Sequence, residues 1–253
     1  MTMLEIAGEG FDHLVIQRLA SPPRETLHVY IEGDGLPWLG NRASADPTQR
    51  TPLALSLAGL DKQDVAYIGR PCYFGVADAS RCHPRIWTSH RYSAEVVSSM
   101  AAAIQRVRRP EHGAIVLIGY SGGGTLAALL ESQVADVAGV VSIAANLDID
   151  AWTTLHGYDA LSHSLNPIRA SRAPDVVHLQ LVGRHDTKVP PSISIAYANT
   201  QPGVELIEFE HFDHVCCWED QWPSILPELS ARLDSSGRKE GPGRAESRLS
   251  TLH

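Results

Sequence analysis

Residues 114–130 read AIVLIGYSGGGTLAALL, and the way this stretch divides decides the fold. Ala114–Tyr120 is an unbroken apolar run of strand length, which suits a strand buried on both faces of a parallel sheet. Gly122–Val134 opens with small residues that allow close packing and reads as a helix. Between the two lies Gly119-Tyr120-Ser121-Gly122-Gly123, a G-x-S-x-G turn from strand into helix. A serine at that turn must take a poorly tolerated backbone conformation, and the flanking glycines let strand and helix close around it. The hydroxyl of Ser121 is thereby thrust out at the sheet edge as a candidate nucleophile. A phosphate cradle does not fit, because GYSGGGT lacks the GK[ST] ending of a P-loop and is out of register with G-x-G-x-x-G.

Working outward, short β-rich runs alternate with helical patterns, as in a mostly parallel sheet covered by helices on both faces. Strands are predicted near Leu14–Leu19, Leu27–Gly33, Val65–Gly69, Val137–Ala144, Val176–Val182 and Val204–Phe209. Helices are predicted over Thr51–Leu60, with Pro52 in the first turn, and over Ser93–Arg108, with Ser93 as N-cap. A last helix is expected over Trp222–Leu233, with Pro227 marking a break or a late start. Two long segments, Arg70–Arg91 and Asn146–Pro174, do not fit the alternation. Segments of that length in a compact domain are commonly binding loops or caps.

The elbow and the alternation together resemble the α/β-hydrolase superfamily over roughly Leu14–Leu233, and are most similar to bacterial serine hydrolases with GYSGGG elbows. The resemblance implies a nucleophile–acid–histidine order along the chain. The loop Arg184-His185-Asp186-Thr187-Lys188-Val189-Pro190 follows a strand ending in glycine and is similar to the family's acid loop, which assigns the acid to Asp186. Asp148 and Asp150, after the preceding strand, are reserve candidates. The last strand runs into Phe212-Asp213-His214, so the resemblance implies His214 as base. His211, three residues earlier, still belongs to the strand end in this reading. The oxyanion donors expected are the N–H of Gly122 and one from the Glu32-Gly33-Asp34-Gly35 loop, with Asp34 or Gly35 favoured. Glu32 stands where the family pattern has a histidine, a departure that backbone donors tolerate.

Composition sets limits around this reading. The chain has 253 residues, 43% of them hydrophobic, enough for one sizeable domain over 1–234 with a short cap-like insert at about 146–174. The formal net charge of −8 argues against a nucleic-acid partner bound by phosphate neutralisation. No apolar run approaches the ~18 residues of a membrane span. Residues 235–253 are polar with almost no apolar side chains and are expected to be a disordered tail. The start, MTMLEIAGEGFDH, reads as cytoplasmic as written, and an exported protein whose leader is missing would read the same.

Cys72, Cys82, Cys216 and Cys217 read either as reduced thiols or as one or two bridges. Two forms of bridge are considered: a local one within 72–82, or one joining that loop to 216–217. A His211-x-x-His214 metal site lacks a third ligand at recognisable spacing, and no metal or organic cofactor is expected. The functional expectation is a serine hydrolase acting on a small-molecule acyl substrate: an ester first, then a thioester or amide. An acyltransferase on the same fold and a non-catalytic binding member are the alternatives.

Overall fold

The computed structural model describes residues 1–75 and 81–237. Eight strands form the main sheet: β1 (Thr2–Ala7), β2 (Asp12–Arg18), β3 (Thr26–Ile31), β6 (Asp64–Ile68), β7 (Ala114–Tyr120), β8 (Val137–Ile143), β9 (Val177–Gly183) and β10 (Val204–Phe209). Two-residue strands β4 (Trp38–Leu39) and β5 (Arg42–Ala43) make a separate ribbon. The main sheet runs in the order β1-β2-β6-β3-β7-β8-β9-β10. Its two outermost pairings on one side, β1–β2 and β2–β6, are antiparallel, and every other pairing is parallel.

The expected alternation is realised, and the central strands show why. Each is buried on both faces, so successive side chains feed two different cores. In β7, Ile115 and Leu117 join one cluster while Val116 and Ile118 join the other. The first cluster holds α2 (Ala94–Val107) and α3 (Gly122–Leu130) against the sheet through Val96, Met100, Ile104, Leu126 and Leu130. The second holds α1 (Leu53–Leu60) and α6 (Trp218–Gly237) through Leu53, Leu57, Trp218, Trp222, Ile225 and Leu229. Helix α2 starts where expected, with Ser93 accepting the Val96 N–H at 3.4 Å, a cap of about 1 kcal/mol.

Several elements depart from the sequence reading. Helix α6 begins at Trp218 and runs through both Pro223 and Pro227. Trp218, Trp222, Ile225 and Leu229 form one buried stripe, and that packing outweighs the backbone hydrogen bonds the prolines remove. Ser235–Gly237 extend this helix, so the helix reaches past the predicted start of the tail, and 238–253 lie outside the described residues. Edge strand β1 was not anticipated, nor were two helices: α4 (Ile149–His156), inside the 146–174 insert, and α5 (Pro191–Thr200). Among the described residues no helix is long and apolar enough to cross a membrane.

The cysteines pair locally: Cys72 with Cys82, and Cys216 with its neighbour Cys217. The anticipated bridge between the two loops is therefore not formed. Cys72–Cys82 spans a sequence separation of 10, and chain-entropy reasoning assigns a closure of that size about 3 kcal/mol. A Cys72→Ser, Cys82→Ser double variant should lower the melting temperature by roughly 6–12 °C. Calorimetry checks the shift, with intact-mass measurement after alkylation confirming the bridge; an unchanged melting temperature would remove it as a stabilising tether.

Candidate active site

Ser121 sits between β7 and α3 with φ 52° and ψ −123°. This is a strained backbone for a residue with a side chain, costing about 1–3 kcal/mol and surviving only where the surroundings impose it. The glycines of the motif are part of that imposition. A Cβ on Gly119 would lie 2.1 Å from the Gly123 carbonyl oxygen, and one on Gly123 would lie 2.1 Å from the Ile31 carbonyl oxygen. The Ser121 N–H donates to Ile143 at 2.8 Å, and its carbonyl accepts from Gly124 at 2.9 Å.

Asp186 and His214 arrive from the neighbouring strand ends, after β9 and β10. Gly183, the last residue of β9, lets the two loops cross closely, since a Cβ there would come within 2.7 Å of the Phe212 carbonyl oxygen. One oxygen of Asp186 accepts the N–H groups of Lys188 and Val189, both at 2.8 Å. Its other oxygen takes the Nδ1–H of His214 at 2.8 Å. That bond directs Nε2 of His214 toward Ser121, whose Oγ lies 3.1 Å away. Asp186 is buried and the His214 side chain is 18% exposed, so the chain of contacts runs from interior to surface.

The competing residues are placed elsewhere. His211 is exposed on the turn after β10. Asp148 caps α4 by accepting the Ala151 N–H, and Asp150 pairs with Arg169 and Asn166. Among the described residues no group of three or more His, Cys, Asp or Glu side chains is placed to hold a metal ion.

The Glu32–Gly35 loop follows β3 and touches the β7–α3 turn, with a Cβ on Gly33 falling 3.4 Å from Cβ of Ser121. Gly122 opens α3, so its N–H has no partner within the helix. The Gly33 N–H donates to Oε1 of Glu32 at 3.2 Å, and Leu36 N–H turns back to the Pro47 carbonyl at 2.8 Å. Between them stand Asp34 and Gly35. The Asp34 carboxylate accepts from Arg70 at 2.5 Å, from Arg91 at 2.8 Å and from the Tyr92 hydroxyl at 2.7 Å. Its main-chain carbonyl accepts from the Tyr73 hydroxyl at 2.9 Å. Burial alone would raise the Asp34 carboxyl, but the Arg91 and Arg70 guanidiniums override it and hold the group well below the usual carboxylate range.

The cluster around Asp34 is what sequence reasoning missed. Arg70 and Arg91 bound one of the two long segments that did not fit the alternation, with nothing in the sequence to link them to Asp34. In the other, Trp152, His156 and Tyr158 form one aromatic cluster on and just after α4. Trp152 Nε1 donates to the Lys188 carbonyl at 2.7 Å, and His156 Nε2 lies 2.9 Å from the same oxygen, so α4 braces the Asp186 loop. A cavity of about 270 Å³ lined by Gly8, Phe11, Asp12, Cys72 and Cys82 includes none of the residues around Ser121.

No family model matches the sequence, and no curated protein matches it. Solved structures do. An esterase from Pyrococcus furiosus superposes with a TM-score of 0.64 at 14% identity, covering 92% of this chain and 90% of that one. Mouse alpha/beta hydrolase domain-containing protein 10 gives a TM-score of 0.65 at 12% identity, with coverage of 93% and 99%. Puromycin hydrolase gives a TM-score of 0.66 at 15% identity over 96% of this chain, which spans 40% of that larger protein. The fold of this chain is that of the α/β-hydrolases.

The burial of Arg70 and Arg91 makes Asp34 a structural necessity as well as a neighbour of the elbow. Asp34→Ala would strand two buried guanidiniums and should destabilise the protein by about 3–5 kcal/mol in denaturant unfolding. The sign with pH follows from the depressed carboxyl. Its contribution is full above the ordinary value of 3.8 and is lost progressively as pH falls from there to the lower folded value, so the gap between variant and wild type should narrow as pH drops below 3.8. A variant as stable as wild type at neutral pH would show that the ion pairs contribute nothing.

Proposed function

We propose, taking the α/β-hydrolase fold as premise, that this protein is a serine hydrolase that cleaves an acyl bond through a covalent acyl-enzyme. The observation that carries the reading is the continuous contact chain Ser121–His214–Asp186, with 3.1 Å and 2.8 Å steps. In this reading His214 Nε2 takes the Ser121 proton as the hydroxyl oxygen attacks the substrate carbonyl. Asp186 holds the imidazole in the tautomer that leaves Nε2 free to accept, and stabilises the imidazolium that forms. The tetrahedral oxyanion is met by the Gly122 N–H and by an N–H of the Asp34–Gly35 segment. Collapse returns the proton from His214 to the leaving group, and water repeats the sequence to release the acid.

An ester is the first substrate class proposed, in keeping with a carboxylesterase-like or lipase-like enzyme, followed by a thioester or an amide. The similar structures include an esterase and puromycin hydrolase, which supports acyl-bond hydrolysis as the reaction type. The 146–174 insert contributes one helix of eight residues, α4, a small cover that suits a small or extended acyl group.

Two measurements test this reading. A fluorophosphonate should label wild type at Ser121, and Ser121→Ala should lose the label and about five to six orders of magnitude in kcat on p-nitrophenyl esters. Near-full activity in that variant would end the serine-hydrolase reading. His214→Ala should cost several orders of magnitude in kcat, whereas His211→Ala should stay within about twofold of wild type. The reverse ranking would transfer the base role to His211.

A further inference from the structure

Glu32 occupies an unusual position. It is 2% exposed, it follows β3 directly, and its two oxygens face two different parts of the protein. Oε1 accepts the N–H of Gly33 at 3.2 Å, inside the oxyanion loop. Oε2 accepts the N–H of Ala54 at 2.9 Å, in the first turn of α1. That helix starts after Pro52, whose side chain cannot cap it, so Glu32 meets an unsatisfied donor there and brings negative charge to the positive end of the helix.

We propose that Glu32 is a positioning residue for the acyl-transfer step, its ionised carboxylate tying the oxyanion loop to α1 so that an N–H of the Asp34–Gly35 segment faces the developing oxyanion. This rests on the serine-hydrolase reading above. The assignment of the donor follows from occupancy. Gly33 N–H is committed to Glu32, and Leu36 N–H to Pro47, which leaves the segment between them to serve the substrate. Gly33 is also where the loop backbone comes up against Ser121, so a shift of the loop is a shift of the hole relative to the nucleophile. Displacements of about 1 Å at such a site cost up to ~100-fold in rate.

The tie depends on a proton. A carboxylate accepts strongly on both oxygens, whereas in a carboxylic acid the oxygen that carries the proton is a much weaker acceptor for the N–H it faces. The charged and titratable groups that act on Glu32 are the Arg70 guanidinium, which favours the ionised form, and the Tyr67 and Tyr120 hydroxyls, whose own ionisation the carboxylate opposes. Burial is the largest influence and pushes the Glu32 carboxyl up to about 7, against the N–H donors and Arg70. The tie therefore weakens as pH falls through neutrality. Stability moves the opposite way. The folded state holds this proton more tightly than the unfolded chain, so ionising Glu32 lowers stability as pH rises from about 4.5 to about 7.

The test compares wild type with Glu32→Gln, an isosteric variant that accepts on one side only. Measured with a p-nitrophenyl ester between about pH 5 and 9, the variant should lose about tenfold in kcat with KM within about twofold. Its acid limb should report one proton fewer than that of wild type. Its melting temperature at alkaline pH should equal or exceed that of wild type. Unchanged kcat with an unchanged acid limb overturns the proposal, and so does a loss of activity that merely follows a lowered melting temperature. Should Glu32→Gln fail to fold, the pH dependence of fluorophosphonate labelling in wild type decides, a two-proton limb supporting the role and a one-proton limb overturning it. The same probe separates the two failures. Absence of label on Ser121 sinks the hydrolase reading and this proposal with it, whereas label with unaltered Glu32→Gln kinetics sinks the role of Glu32 alone.

Discussion

The strained backbone of Ser121 is the constraint around which the rest of the structure is organised. A side-chain-bearing residue at φ 52° and ψ −123° does not stay there unaided. It is held because β7 is central to the sheet, buried on both faces, and because α3 starts immediately and packs on the same core. Close approach of Gly119 to Gly123, and of Gly123 to the end of β3, leaves the turn no room to relax. Those contacts also bring β3 and its following loop up against the elbow. The position of the Glu32–Gly35 loop is thus a by-product of what keeps the serine strained.

Around that turn, polar groups contributed by separate loops are each fixed by more than one bond. Asp186 spends one oxygen on two backbone N–H groups and has the other left for His214. Asp34 is held from the opposite side by two guanidiniums and a tyrosine hydroxyl. In the serine-hydrolase reading proposed above, preorganisation of this kind would serve acyl transfer, because dipoles already in place do not have to reorganise as charge develops.

The parts of this arrangement that the sequence revealed are those encoded locally. The apolar run of β7, the glycines of the elbow and the Gly-x-x-Asp ending of β9 are short-range patterns, and they led to Ser121, Asp186 and the parallel sheet. What escaped was encoded at a distance or against type. Asp34 meets Arg70, Arg91 and Tyr92 across sequence separations of 36, 57 and 58 residues, with no motif to link them. Helix α5 was hidden because Ser192-Ile193-Ser194-Ile195 alternates like a strand and follows two prolines, the second of which is in fact the first residue of the helix. Helix α6 was expected over Trp222–Leu233 with Pro227 as a break or late start, whereas it begins at Trp218 and runs unbroken because the buried stripe headed by Trp218 and Trp222 decides. The cysteines were legible only as alternatives, since spacing cannot choose between pairings.

The segment from Arg70 to Arg91 has a consequence for how the protein fails on heating. Both guanidiniums that grip Asp34 belong to it, one at each end, and the Cys72–Cys82 bond lies between them. Between those ends Cys72, Tyr73, Ile86 and Trp87 sink the segment into the first apolar core, the one that also holds α2 and α3 on the sheet. An anchor seated in the core opens with the core and not ahead of it. The grip on Asp34 and the packing of the sheet would then be lost in one event on heating, with no early loosening of this segment.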